Sequence, residues 1–390
     1  MLQIVGTPLE QTSWNNMLVM EAMTRDVYQD FAGTFADDKK MLPNGIKTVV
    51  KLAPSKHSHI VGLLLNLDGE GVTGREQQIG QEKDQELKEL VVFSNDVSQA
   101  VNTQRYGIDA HDKEAYKVLE AVNPQLGLWH KEIEGKYTRE GLLERYSSNL
   151  LSSPTSLVKR WNENIFIKGV TFEAQPVYDS SNATYEANFN TAALAGSGGT
   201  WDVTYLNAII HFVTTINSIE PLDGDRYIVT VPSRQAMFLK DPGGTNSIAG
   251  LFINSHVADA AKNAQKWYLG SYGPLDLYED PRAAVVNLTS GDMVAQYKGA
   301  GSDDDRYSLG TGTDYDVGFV HGKGSYMKAS HEDLHFEEEI QNYKKIVGVG
   351  AFSGYGINRT VFDDVGNETD TSQINQNSVA LFAETSLAAV

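Results

Sequence analysis

The chain has no cysteine. That absence excludes disulfides, thiolate metal sites and cysteine nucleophiles together. Nor is there a run approaching the roughly 18 consecutive apolar residues of a membrane-crossing helix, so no transmembrane segment is expected. The N-terminus, Met1-Leu2-Gln3-Ile4-Val5-Gly6, lacks the basic-then-apolar layout of a secretion signal, and the protein is expected to stay in the cytoplasm where it is made. Positive charge is scarce: 32 Lys and Arg stand against 51 Asp and Glu, a formal net charge of −19. The deficit argues against a large phosphate-binding surface, so nucleic acid is not a direct ligand, and the acidity keeps a concentrated protein soluble. What remains is ordinary: 390 residues, 41% of them hydrophobic, are enough for two or three lobes with a real core.

Gly69-Glu70-Gly71-Val72-Thr73-Gly74 has the spacing of a dinucleotide-binding fingerprint and follows the apolar run of residues 60–67. A true fingerprint opens a helix whose N-terminus holds the pyrophosphate and whose apolar face packs on the sheet. Here residues 75–86 contain a single apolar residue, Ile79, so a helix there could not be buried against anything. The segment must project into water or onto another chain. Its flanks say how. Ile46, Thr48, Val50 and Leu52 alternate with Lys47, Val49 and Lys51 in the period of a half-exposed strand, residues 63–67 add a second apolar run, and Leu90-Val91-Val92-Phe93 reads as a returning strand. A strand, a long polar tip and a return strand make a two-stranded arm. Such an arm is marginal alone in water and is normally braced by a partner surface, which points to assembly.

Elsewhere, residues 11–31 carry Met17, Val19, Met20, Met23, Val27 and Phe31 and read as a short amphipathic helix with Ser13 as a possible cap. From His111, Ala115, Leu119, Val122, Leu126, Trp129, Ile133 and Tyr137 recur at steps of three and four, the seam of a long helix that Pro124 either kinks or restarts. Residues 176–200, with Gly196-Ser197-Gly198-Gly199, read as an exposed loop and a lobe boundary; no Lys-Ser or Lys-Thr follows the glycines to meet a phosphate. Val203, Leu206, Ile209, Ile210, Val213 and Ile216 predict an apolar helix, residues 226–231 a strand, and Ser233 the cap of a helix ending near Lys240. From Trp267 onward the pattern is short strands with glycine turns.

Three further constellations invite enzymatic readings. In His331-Glu332-Asp333-Leu334-His335, two histidines one helical turn apart could bind zinc while the glutamate activates water. Such a site needs a third protein ligand and a buried helix lining a cleft, and the flanks Gly322-Lys323-Gly324 and Phe336-Glu337-Glu338-Glu339 supply neither. The segment therefore reads as a solvated acidic helix or loop with two surface histidines, whose replacement by alanine should matter little. A zinc-dependent hydrolase through His331, Glu332 and His335 stands as the enzymatic alternative. Gly348-Val349-Gly350-Ala351-Phe352-Ser353-Gly354-Tyr355-Gly356 looks like a nucleotide loop but lacks its helix, so its glycines are expected to allow close backbone packing or a bulge. Asp303-Asp304-Asp305 lacks the alternate acids and sixth-position glycine of a calcium loop and reads as a solvated turn.

Asp68-Gly69-Glu70-Gly71-Val72-Thr73-Gly74-Arg75-Glu76, followed by Val91-Val92-Phe93-Ser94-Asn95-Asp96-Val97 and Ala100-Val101, resembles the extended loop of the phage N4-like family of major capsid proteins, which are similar in fold to the Hong Kong 97 capsid protein. Tyr227-Ile228-Val229-Thr230-Val231-Pro232-Ser233-Arg234-Gln235, Tyr268-Leu269-Gly270-Ser271-Tyr272-Gly273 and a glycine-rich C-terminal region follow in the same order. The tract after Arg75 departs from the family's more usual Leu-Glu-Gly-Asn-Glu-Glu-like form. The resemblance implies an α+β, Hong Kong 97-like capsid fold: an N-terminal arm (1–45), an extended β-hairpin loop (46–101), a peripheral lobe with a long spine helix (102–200), an axial lobe (201–330) and C-terminal strands returning to the peripheral lobe (331–390). It implies a structural subunit of a tailed double-stranded DNA bacteriophage with no catalytic residue, cofactor or metal. The subunit would assemble in the host bacterial cytoplasm into the hexamers and pentamers of an icosahedral virion shell. Glu70, Thr73, Arg75, Glu76 and Lys83 are the expected intersubunit contacts of the loop. About 45 residues precede the loop, too few for a built-in scaffolding domain, so a separate scaffolding protein is expected, with portal and decoration proteins as further partners. The shell would enclose DNA without binding it specifically, its acidic wall letting the polymer slide, and no membrane is involved. A tail or decoration protein is the other structural alternative.

Overall fold

A computed structural model of the chain describes residues 28, 32–34, 45–53, 58–64, 87–102, 113–144, 165–167, 201–216, 219–222, 224–240, 267–287, 293–294, 314–341, 346–364 and 378–384. Apart from Tyr28, the helix expected over 11–31 lies outside them. So do the loop at 176–200 and the triple aspartate.

Three sheets organise the described residues. The first has five strands: β1 (Ala32–Thr34), β2 (Lys47–Lys51), β13 (Tyr326–Gln341), β14 (Ile346–Arg359) and β5 (Asn95–Asn102), in that spatial order. β1, β2 and β13 run parallel, whereas β13, β14 and β5 are antiparallel neighbours. A three-stranded sheet holds β3 (Ser58–Leu64), β4 (Leu87–Phe93) and β15 (Asp363–Asp364), with β4 in the middle.

The third sheet runs β11 (Met293–Val294), β10 (Val285–Asn287), β12 (Asp314–His321), β7 (Tyr227–Pro232), β9 (Leu275–Asp280), β8 (Tyr268–Tyr272). β16 (Ser378–Glu384) lies along β12 and pairs in turn with β6 (Ile165–Ile167). β7 is buried along its whole length between β12 and β9. This is why its sequence is nearly all apolar, with Pro232 confined to the last position.

Helix α1 (Lys113–Glu144) passes through Pro124 without restarting, and Val122, Leu126, Trp129, Ile133 and Tyr137 of the stripe read from the sequence pack inward along it. Val122 and Leu126 pack on Val349 and Ala351 of β14. Leu142 and Leu143 enter a larger core with Ile46, Ile228, Tyr278, Phe319, Tyr326 and Tyr355, which joins the five-stranded sheet to the eight-stranded one. Helix α2 (Val203–His211) is capped by Asp202, whose Oδ1 accepts from the Tyr205 amide at 2.8 Å, and ends in a π-turn (Phe212–Ile216). With α3 (Ser233–Lys240) it covers β7 and β9 through Leu206, Ile209, Phe212 and Leu239. α3 begins at Ser233, whose hydroxyl donates to Glu279 Oε1 at 2.7 Å.

Two expectations need correction. The alternation at residues 46–52 does not mark a half-exposed strand: β2 is an inner strand of the five-stranded sheet, Lys47 is only 6% exposed, and both faces are covered at its N-terminal half. The histidine-rich segment is neither helix nor loop but part of the 16-residue strand β13.

Candidate assembly site

Of the arm predicted around the polar tip, the returning strand is found in β4, which pairs antiparallel with β3, Ser58 opposite Phe93 and Leu64 opposite Leu87; residues 47–51 pair with β13 instead. Glu70, Thr73, Arg75, Glu76 and Lys83 fall between β3 and β4, outside the described residues. The base of the hairpin is anchored. Leu90 and Val92 are fully buried against Met327, Ala329 and Phe362. Asn358 Nδ2 donates to the Val91 carbonyl at 2.7 Å, and β15 pairs with Lys88 and Glu89. At Gly356 the backbones approach so closely that a Cβ would run into the Phe93 carbonyl oxygen. Gly356→Ala is therefore expected to destabilise the subunit by about 1–3 kcal/mol, the range for overpacking, read as a lower urea midpoint at unchanged slope. Lys88 is itself buried in β4, so the segment dispensable to the subunit stops short of it. β3 is the outer strand of its sheet, and Ile60 on it is 59% exposed. An anchored base with an apolar outer strand suits contact with another surface.

The second feature is a buried polar clamp on α1. Lys47 Nζ of β2 and Lys328 Nζ of β13 each donate to Glu134 Oε1 at 2.7 Å, while His130 Nε2 meets Ser353 Oγ of β14 at 2.8 Å. Lys328 also lies over the Tyr355 ring, 4.5 Å from its centroid. One turn on, Arg139 forks onto Asp280 at the end of β9, with Nε to Oδ2 at 2.7 Å and Nη2 to Oδ1 at 2.6 Å. Arg282 reaches Glu132 beside it. One helix thus holds strands of both large sheets. Nothing in the periodicity reveals this, because charged residues on a helix read as its wet face.

Burial alone would raise the Glu134 carboxyl, but Lys328 and Lys47 overcome it and hold the group well below its ordinary value. Burial pushes the Lys328 ammonium down, opposed by Glu134. It pushes His130 to about 4 and His321, wholly inside the core, to about 3. Both imidazoles are thus neutral when folded and take up protons more readily when unfolded. The stability they contribute is complete above pH of about 6.5 and is lost as pH falls toward 4 and 3, in the same direction as the Glu134 contribution below its unfolded value. Urea midpoints of the subunit should fall steadily from pH 7 to pH 4. His130→Gln should flatten the part of that slope nearest pH 5, and an unchanged slope would remove His130 from the account.

The zinc-protease pattern does not survive the fold. On a strand, successive residues advance about 3.3 Å, so His331 and His335 have separate surroundings instead of sharing one helical face. His331 is not a surface histidine: its side chain is 7% exposed, Nδ1 is 3.0 Å from Ser94 Oγ, and Nε2 is 2.9 Å from Asp96 Oδ1. Its replacement by alanine should therefore cost stability, contrary to the sequence expectation. His335 stacks on Phe352, 5.8 Å between centroids, with Glu332 and Glu337 each 3.6 Å from a ring nitrogen. Among the described residues, Asp96, His331 and Glu332 form the one group whose possible metal-ligand atoms all lie within 4.8 Å of one another. The glycine-rich run at 348–356 is the middle of β14, and its glycines serve close packing as expected.

No family model matches the sequence, and no curated protein matches it. Solved structures do. The capsid of Ralstonia phage GP4 superposes with a TM-score of 0.60 at 16% identity, covering 100% of this chain and 99% of that one. The capsid chain of cyanophage Pam1 gives 0.61 at 15% identity over 93% and 92%, and the acid-stable capsid of Helicobacter pylori bacteriophage KHP30 gives 0.56 at 11% over 92% and 91%. The chain has the phage capsid fold. The match spans essentially the whole chain. Among the described residues, no helix is long and apolar enough to cross a membrane.

Proposed function

We propose that the protein is the major capsid subunit of a tailed double-stranded DNA bacteriophage of the N4-like kind, self-associating into hexamers and pentamers of an icosahedral shell. The observation that carries this reading is the end-to-end likeness to capsid chains, with 100% of this chain and 99% of the Ralstonia phage capsid chain covered. The work of such a subunit is mechanical and uses no catalytic residue. The region 46–101 is its extended loop, laid over a neighbour. The base of that loop packs on β13 and β14, and Glu70, Thr73, Arg75, Glu76 and Lys83 are its contacts with the neighbour. α1 with β13 and β14 forms the peripheral lobe, joined by β1 from the N-terminal arm and by β2 and β5 from the two ends of the loop region, and β7 to β12 with α2 and α3 form the axial lobe near 201–330. Of the strands after residue 331, β14 belongs with α1, while β16 joins β12. A separate scaffolding protein guides assembly, and portal and decoration proteins complete the particle. It is built in the host cytoplasm and encloses DNA without specific contacts.

Sedimentation velocity of the purified full chain, alone and co-expressed with a candidate scaffolding protein, tests this. Capsomer-sized and shell-sized species are expected, the latter mainly with scaffold. A chain that stays monomeric under both conditions would overturn the reading, and efficient shell formation by the chain alone would remove the scaffold from it.

A further inference from the structure

We propose that Asp96, His331 and Glu332 bind a divalent transition cation of the zinc class, which staples β5 to β13 across Gly354 of β14. The site lies within one subunit and goes beyond the capsid reading. It is also not the hydrolase site suggested by the sequence pattern, since it takes Asp96 from another strand and leaves out His335.

β5 and β13 do not pair with each other. β14 lies between them, with Gly354 opposite both Asp96 and Glu332. Side chains of the two outer strands can meet only by passing over the middle one, and glycine is what permits it: a Cβ on Gly354 would collide with the His331 imidazole. The register of β13 shifts on both sides of Glu332, between Ser330 and Glu332 and between Glu332 and His335. Such bulges re-aim side chains. Here the adjacent His331 and Glu332, which a regular strand would send to opposite faces, both offer ligand atoms to one point.

The imidazole is held for the purpose. Ser94, 5% exposed, places its hydroxyl 3.0 Å from Nδ1. A hydroxyl can donate or accept. When the ring is neutral and metal-free, the hydroxyl donates to Nδ1 and Nε2–H donates to Asp96. With metal it accepts from Nδ1–H, which turns the Nε2 lone pair toward the cation, the backing arrangement usual for histidine ligands. The carboxylates keep freedom to close in: the Asp96 side chain is 74% exposed and that of Glu332 46%. Zinc binds nitrogen and carboxylate oxygen at about 2.0–2.2 Å, which places tetrahedral donors about 3.4 Å apart. The present separation of 2.9 Å between Nε2 and Oδ1, and the 4.8 Å limit for the whole group, need only small side-chain rotations. One imidazole and two carboxylates, with water completing the shell, suit zinc or manganese better than calcium or magnesium, which take oxygen ligands in greater number.

The test is titration calorimetry of the unassembled full-length subunit with zinc chloride, checked by native mass spectrometry, with manganese and calcium chlorides as comparators. One zinc per subunit is expected, calcium binding at least tenfold more weakly. Asp96→Asn, an exposed change that leaves the fold intact, should weaken zinc at least tenfold, as should Glu332→Gln and His331→Ala. His335→Ala should bind as the wild type does. Zinc should raise the melting temperature of the wild type and leave that of Asp96→Asn unchanged. Sub-stoichiometric zinc, wild-type affinity in Asp96→Asn, or equal losses in His335→Ala and His331→Ala would each overturn the assignment. Because the readout is metal binding by single subunits, either result leaves the capsid reading standing on its own test.

Discussion

Deleting residues 68–85 and closing the gap with a short Gly-Ser turn will leave a folded subunit that no longer assembles. The strands on either side, Ser58–Leu64 and Leu87–Phe93, retain their register and the packing of Leu90 and Val92 under Phe362. The removed segment is almost devoid of apolar residues, so it contributes little to a core. Shortening the connection changes loop-closure entropy by about 1 kcal/mol at most. Circular dichroism and the melting temperature should therefore move little. Sedimentation should lose every species larger than the subunit. Single reversals, Arg75→Glu or Lys83→Glu, should act in the same direction but weakly, since an exposed ion pair is worth about 0–1 kcal/mol, although a shell repeats each contact many times. Normal shells from the deleted chain would mean that the tip is not an intersubunit clamp. An unfolded subunit would place it in the core.

Replacing Glu134 should be the most damaging single change inside the subunit. The carboxylate accepts from Lys47 and Lys328 at 2.7 Å each, and it is the buried acid that holds α1 to β2 and β13. Glu134→Gln leaves two ammonium groups facing an amide in a site water scarcely reaches. Removing one partner of a buried ionic cluster costs about 3–5 kcal/mol. The urea midpoint should fall accordingly. In contrast, the triple change Lys47→Met, Glu134→Leu, Lys328→Met removes every charge together and should recover most of the loss, as an apolar replacement of similar volume often does. A loss under about 1 kcal/mol for Glu134→Gln would mean that water solvates the cluster and that packing alone holds the helix.

What the sequence disclosed and what it hid follow one physical division. α1, α2, β4 and β7 were legible because each buries an apolar stripe or run whose period survives in the chain, and the hairpin because its tip cannot be buried at all. β13 was not legible. Its bulges break the period of two, and His331-Glu332-Asp333-Leu334-His335 places polar groups where a helical surface would also have them. Lys47 was assigned to the wet side of its strand because nothing local announces Glu134, 87 residues away, as its partner. The Glu134 clamp, the Arg139 fork and the Asp96–His331 contact all join residues far apart in sequence, and one-dimensional patterns carry no record of such pairs. The glycines of β14 were read as serving close packing, but the particular neighbours they admit, Phe93 at Gly356 and His331 at Gly354, required the fold.

Electron microscopy of the purified full-length chain, co-expressed with a candidate scaffolding protein, tests the central claim most directly. Closed shells with averaged capsomers of six-fold and five-fold symmetry are the predicted result. Tubes, spikes or uniformly monomeric particles would contradict it.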